Sequence, residues 1–526
     1  MQKLVATSLA TLMFAGTLIN PTVADAQSGT TTPIKHLVVI FQENVSFDHY
    51  FATYPNALNP AHEPVFRAAP GTPSVNGLTG SLLNNNPNFL NSVVNGAAAA
   101  NPFRLDRSEA ATADQDHDYM PEQQAFHSGL MDSFPKYTGT PGPPPTGQTT
   151  GGLVMGYYDG NTVTALWNYA QRFAMSDNSY DTNFGPSTDG AVNLISGQLN
   201  GVSDQINASA DVVPDGGGGF TLISDADPVG DVCSTTTGAQ VAFGGTNVGD
   251  LLNSRGISWG FFEGGFDLTI KNANDTTGCS RSTTSAVTAT DKADYIPHHQ
   301  PFQYYTSTQN LKHTRPTSPS TVGIDGDPAN HQYDIHDFYD AVNAGNFPTV
   351  SFLKAPGYQD GHAGYSDPLD EQTFVVTVIN FLQKQKDWEN TAVVIAYDDS
   401  DGWYDHQMGP IVNQSATAMD ALTGPGQCGT GDAALPGVSV AHAQGRCGYG
   451  PRLPLLVISP YARRNFVDHS ITDQTSILRF IEDNWLDGQR IPGSFDSLAG
   501  KLNTMFNFTS PDNSKYQLDP STGEVK

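Results

Sequence analysis

Positive charge is what this sequence has least of: 25 Lys and Arg stand against 53 Asp and Glu, a formal charge of −28 over 526 residues. So acidic a chain is repelled by nucleic acid and by anionic lipid unless a basic patch or a bound cation intervenes, and its few Lys and Arg form no long run. Nucleic acid is therefore not expected as a partner. Cysteine is scarce too, at four: Cys233, Cys279, Cys428 and Cys447. None stands in CxxC spacing, which argues against a thiolate zinc site. Four cysteines in an exported chain suit two disulfides, expected between the local partners 233 with 279 and 428 with 447. No window after the amino terminus reaches ~18 uninterrupted apolar residues, so no membrane span is expected.

Export itself is read from residues 1–26. A single cation, Lys3, precedes an apolar stretch from Leu4 to Leu18 and the small-x-small pattern Ala24-Asp25-Ala26. That is the layout of a secretory signal peptide, with the mature chain starting near Gln27 and a secreted or periplasmic destination. Residues 27–526 read as one domain with elaborations near 56–160 and 200–330. The first is rich in Asn, Pro and Ala and includes the Pro/Gly loop TGTPGPPPTGQTTGG at 138–152, which suits neither a helix nor a central strand. The tail after Ser510 is polar and expected to be peripheral.

Between these elaborations the pattern is regular. Leu37 to Phe41 (LVVIF) is apolar throughout, as in a parallel strand covered on both faces. Asn161 to Phe173 (NTVTALWNYAQRF) puts Leu166, Trp167, Tyr169, Ala170 and Phe173 on a broad apolar face, with Asn161 or Thr162 as the cap. Further strands are expected over 257–262, 348–353, 392–396 and 454–459, and helices over 367–386 and 472–486. This alternation predicts an α/β fold with a parallel sheet, helices on its faces and long loop insertions.

Ligands of such sheets bind at the carboxyl ends of strands, and two strand ends carry oxygen donors. The first strand stops at Glu43-Asn44, a late one at Asp398-Asp399. Three carboxylates and an amide oxygen on one point repel one another unless a cation sits between them. A hard divalent ion such as magnesium, calcium or manganese suits oxygen donors. FGPSTDGA at 184–191 adds a Gly-Pro turn that would set Ser187 at a helix N-terminus, where anions are favoured. His117, His298, His299 and His362 offer donors to phosphoryl oxygens, or nitrogen ligands to a softer metal. Adjacent His298 and His299 can face one site only across a turn, which Pro297 would supply. A metal beside such a serine is equipment for phosphoryl transfer to the hydroxyl, followed by hydrolysis of the phosphoserine.

QENVSFDHYF (42–51) resembles the signature, usually ENRSFDHYFG, of the bacterial phosphoesterase family that unites phosphocholine-type phospholipases C with secreted acid phosphatases. DDSDGWYDH (398–406), RLPLLVISPYA (452–462) and VDHSITDQTSILRFIEDNW (467–485) resemble its other blocks. The resemblance implies a fold similar to the alkaline phosphatase and sulfatase group. It further implies Glu43, Asn44, Asp398 and Asp399 as metal ligands, Ser187 as nucleophile, and the four histidines as the lining of the phosphate site. Val45 and Ala52 replace the usual Arg and Gly, at no ligand position. The phospholipase branch has Thr at the nucleophile position and a Pro-Asn-Arg motif. Here Ser187-Thr188-Asp189-Gly190-Ala191 and Val192-Asn193-Leu194 look like the acid phosphatase branch. The resemblance thus implies hydrolysis of small phosphomonoesters, with phospholipase C acting on phosphatidylcholine-type head groups as the alternative. A catalytically inactive surface protein would be marked by a broken site, and every matched position is filled.

Overall fold

The computed structural model describes residues 29–428 and 444–526. The expected signal peptide lies outside the described residues. The fold is built on one sheet of eight strands: β1 (His36–Gln42), β2 (Ala174–Ser176), β3 (Trp259–Glu263), β4 (Gln332–Asp334), β5 (Val350–Lys354), β6 (Thr391–Tyr397), β7 (Leu455–Ile458) and β8 (Phe466–Asp468). Their order across the sheet is β4-β3-β5-β1-β6-β7-β2-β8. Seven run in one direction; β7 is antiparallel to both its neighbours, β6 and β2. The strand expected over 454–459 therefore exists but runs against the others.

The unbroken apolar run of β1 follows from cover on both faces. Leu37, Val39 and Phe41 enter one buried apolar layer, and Val38 and Ile40 enter the other. Side chains of successive strand residues point to opposite faces, so a strand buried on both sides has no room for alternation. Among the helices, α1 (Phe47–Phe51) follows β1 directly, and α2 (Tyr119–Phe126) meets the loop after β6 through Glu122, which accepts from Ser400. The second layer holds α3 (Thr164–Arg172) and α5 (Pro368–Leu382), and the first holds α4 (Ser187–Ser196) and α6 (Thr475–Trp485). The result is a three-layer α/β arrangement with its sheet edge open to the loops that follow β1, β5 and β6.

Two helix starts and the place of the tail differ from the expectation, each because of partners distant along the chain. Helix α3 starts at Thr164, since Asn161 Oδ1, the acceptor a cap would use, takes the Asn59 N–H (2.8 Å), while its amide donates to Asn59 Oδ1 (2.9 Å) and the Pro64 carbonyl (2.7 Å), pinning the first insertion instead. Helix α6 starts at Thr475 because Thr472 and Asp473 pair as a short strand with Ser179 and Tyr180. The tail is not peripheral: Leu518 is fully buried, and the carbonyls of Tyr516, Leu518 and Gly523 accept from Gln383, Asn380 and Asn168. Both expected disulfides, Cys233–Cys279 and Cys428–Cys447, are formed. Among the described residues no helix is long and apolar enough to cross a membrane.

Candidate active site

Register brings the oxygen donors together. β1 and β6 are paired residue for residue from His36 with Thr391 to Gln42 with Tyr397. Glu43-Asn44 and Asp398-Asp399 therefore leave the sheet side by side. Asn44 turns the chain at φ +62°, a left-handed conformation that asparagine tolerates better than most residues. The turn lets its main-chain N–H donate to Asp398 Oδ1 (2.9 Å) and its side-chain amide to Asp401 Oδ1 (3.3 Å).

Ser187 opens α4, after Pro186 and after Gly185 at φ +128°. A Cβ on Gly185 would stand 2.6 Å from Asp189 Oδ2, so this turn has room only for glycine. Ser187 Oγ lies 3.0 Å from Glu43 Oε2, 3.1 Å from Asp399 Oδ2 and 3.4 Å from Asn44 Oδ1. A hydroxyl has one proton, so it satisfies one of these three acceptors. Asp398 Oδ2 is buried with no hydrogen-bond donor among the described residues. Burial pushes Asp399 up to about 8 against the pull of His117, with Asp398 adding to the rise. A surplus of buried oxygen acceptors around one hydroxyl fits the donor set of a hard divalent cation. The neighbouring Thr188 is unlike Ser187: its hydroxyl donates to Asp225 Oδ1 at 2.7 Å.

Lys354, at the end of β5, supplies part of the compensating positive charge that the sequence alone leaves to a metal. Its ammonium contacts Glu43 Oε1, stands 3.7 Å from Asp398 Oδ2, and is buried. Burial lowers its pKa, opposed by Asp398, Asp360 and Asp399. VSFLK, like LVVIFQE, is a strand that stops on a charge, but it is the pairing of β5 with β1 that brings this charge to Glu43. Glu122 of α2 is a second residue the sequence reading missed, and it left no pattern to find. Its two oxygens accept from Gly185 N–H (3.1 Å) and Ser400 Oγ (2.7 Å), bridging the serine turn to the Asp398-Asp399 loop, and burial pushes it up to about 8.

All four histidines gather here. Pro297–His299 is a 3-10 turn that holds the rings of His298 and His299 at 84° to each other, 4.7 Å apart. His299 Nε2 faces Glu43 Oε2 at 3.3 Å, and burial lowers it well below the ordinary histidine value. His298 faces Asp227 Oδ1 at 3.6 Å and Asp225 Oδ2 at 3.9 Å; burial opposes its charge, but these carboxylates raise it. On the other side His117 Nδ1 is fixed by the Gln115 carbonyl (2.8 Å), with Nε2 3.3 Å from the Asn44 amide. Burial works against its protonation, yet Asp399, Asp401 and Asp114 hold it well above the ordinary value. His362, 5.9 Å away ring to ring, has Nδ1 on the Ala363 carbonyl (2.6 Å) and is pushed down by burial to about 4. Two groups thus present ligand atoms all within 4.8 Å of one another: Glu43 with His299 and Asp360, and Asp114 with His117, His362 and Asp401. Either is able to hold a metal ion.

The profile of the Phosphoesterase family matches residues 34–486. The chain is 25% identical over 516 residues to a non-hemolytic phospholipase C of Burkholderia pseudomallei, covering 95% of this chain and 63% of that protein. It is 23% identical over 535 residues to a non-hemolytic phospholipase C of Pseudomonas aeruginosa, covering 99% of this chain and 64% of the relative. The chain therefore spans less than two thirds of the length of both. Among solved structures, a protein of the alkaline phosphatase superfamily from Vibrio parahaemolyticus aligns with 69% of this chain and 75% of its own, at 12% identity and a TM-score of 0.29.

Proposed function

Because the chain belongs to the Phosphoesterase family, we propose that it is an exported phosphoric ester hydrolase acting through Ser187, with phosphomonoesters as its preferred substrates. The observation that carries this reading is the Ser187 hydroxyl, buried at a helix N-terminus and ringed by Glu43, Asp399 and Asn44 at 3.0–3.4 Å. Ser187 Oγ attacks phosphorus, the ester oxygen leaves, and a carboxylate beside the hydroxyl takes its proton. Glu43, Asn44, Asp398 and Asp399 would hold a divalent cation, which when bound favours the serine alkoxide and offsets the charge on the phosphoryl oxygens. Lys354 fixes Glu43 through one oxygen so that the other faces Ser187. His117, protonated, donates to the phosphoryl group. His362, neutral and with Nδ1 engaged, keeps its other nitrogen as an acceptor for the water that cleaves the phosphoserine.

A phosphomonoester presents three terminal oxygens, and His117 and His298, which neighbouring carboxylates favour in the protonated form against the effect of burial, are the donors such a group needs. The relatives' names favour a second reading, cleavage of phospholipid diesters. The two are separated by turnover of p-nitrophenyl phosphate beside p-nitrophenylphosphorylcholine with added divalent ions. Monoester preference is expected; diester preference overturns it in favour of phospholipase C. Export is supported by the two disulfides and is tested by amino-terminal sequencing of material recovered outside the cytoplasm.

A further inference from the structure

The first insertion is folded inside out at one place. Residues 87–95 form two short helical turns, Pro87–Leu90 and Ser92–Asn95. Their asparagines point inward: the Asn88 amide donates to the Met131 carbonyl (2.8 Å), and that of Asn95 to the carbonyls of Asn88 (2.8 Å) and Asp132 (2.9 Å). Their apolar residues point outward: Phe89 is 45% exposed, Leu90 64% and Val93 96%, with Leu130, beside Met131, at 57%. A surface helix ordinarily does the reverse, and a clustered apolar protrusion marks a contact surface.

Charge narrows what it contacts. Residues 68–103 contain no Asp, Glu, Lys, Arg or His, the longest such run in a chain of charge −28. The next longest uncharged run, residues 137–158, packs against it, with Gly152 set against Ala98 and Ala100. This neutral cap borders the candidate active site: Thr140 N–H donates to Gln115 Oε1 (2.8 Å), and the Gln115 carbonyl holds His117. A stable protein partner or a second copy needs about 800 Å² per side from some 20–30 residues, far more than four protruding side chains. A bilayer needs no complementary pocket, only apolar side chains to receive among its headgroups. The lack of charge on these two runs suits neutral or zwitterionic lipid, His127 and Asp132 on either side of Leu130 pair with each other (2.7 Å), and the acidic remainder of the chain repels anionic lipid.

We infer that Phe89, Leu90, Val93 and Leu130 form a membrane-docking surface that sets the neutral rim of the active site against a zwitterionic bilayer. The inference is independent of which phosphoester is cleaved. The test is flotation with phosphatidylcholine vesicles, using the full chain carrying Ser187→Ala so that turnover plays no part. Adding Phe89→Ser, Leu90→Ser and Val93→Ser should cut vesicle binding tenfold or more, and phosphatidylserine in the vesicles should weaken binding of the parent. With Ser187 intact, the triple variant should turn over p-nitrophenyl phosphate at the parent rate. Val93→Trp, at a side chain so exposed that folding is indifferent to it, should bind more tightly and show a vesicle-induced blue shift. No binding by the parent, equal binding by the triple variant, or an unshifted tryptophan overturns the inference. So does a concentration-dependent dimer that the triple variant abolishes, which would assign the patch to a second copy.

Discussion

Two buried charge clusters sit on the same pair of loops and end in opposite states. Around Arg452, every oxygen of Asp48 and Asp405 has a donor. Arg452 Nη2 reaches Asp48 Oδ1 at 3.1 Å and Asp405 Oδ2 at 3.0 Å, and its Nη1 donates to the carbonyls of Asn76 and Asp177. The second oxygens are taken by His406 N–H and Nδ1 and by Gln407 N–H. Around Ser187, acceptors outnumber donors, and Asp398 Oδ2 has only the Lys354 ammonium, 3.7 Å away and already committed to Glu43. The two clusters draw on adjacent residues, 43–44 against 48 and 398–399 against 405–406. What separates them is satisfaction. A closed ledger of donors and acceptors is structural support, while buried acceptors without donors point to a ligand that completes them.

This contrast is broken most sharply by chelation. Verified removal of divalent ions should abolish phosphoester turnover and lower Tm, because an ion bound only by the native state stabilises it. Full activity in the metal-free protein would place the Ser187 cluster with the Arg452 cluster as a purely structural one. Ser187→Ala should reduce turnover by ~10^3 or more with little change in Tm, by analogy with other nucleophile deletions. Thr188→Ala should be mild because its hydroxyl is already bound to Asp225. A dead Thr188→Ala, or phosphate trapped on His117, would redraw the mechanism.

Lys354→Met should lower turnover about 10–100-fold, the scale seen when a partner orienting a metal ligand is lost, since Glu43 is then free to rotate. An unchanged rate would mean Lys354 only neutralises charge. Arg452→Met should instead act on stability, costing about 3–5 kcal/mol by leaving Asp405 buried without its cation and Asp48 with His406 alone. Denaturant unfolding measures it, and a catalytic defect without loss of stability would contradict the assignment.

The smallest effect concerns His406, which Asp48 raises above the ordinary value against the opposing effect of burial. A histidine raised in the folded state contributes stability that is fully present below the unfolded value of about 6.5 and is lost as pH rises through the folded value. Relative to His406→Gln, the parent should gain Tm on the acid side of that window, by no more than about 5 °C. Parallel Tm curves for the two proteins would show that the pair with Asp48 carries no such linkage.

Local order was written in the sequence wherever one residue's chemistry decides it. Apolar LVVIF specified a strand covered on both faces, Gly185-Pro186 specified the turn before Ser187, and two strands that stop on Glu43-Asn44 and Asp398-Asp399 announced a polar sheet edge. The nearby disulfides and the turn at Pro297 were legible for the same reason: the determining contacts lie close along the chain. Tertiary structure alone decided the reversal of β7, the burial of the tail against α5, and the capture of Asn161 by the first insertion. Each depends on partners far away in sequence, and nothing local distinguishes a free amide from a committed one. The same is true of Lys354 and Glu122. A lysine after an apolar strand and a glutamate in a short helix are ordinary until the sheet register and the loop path bring the first to Glu43 and the second between Gly185 and Ser400. Which buried charges are closed and which are left open is a property of the assembled neighbourhood, because hydrogen bonding is settled by distance in space and not by distance along the chain.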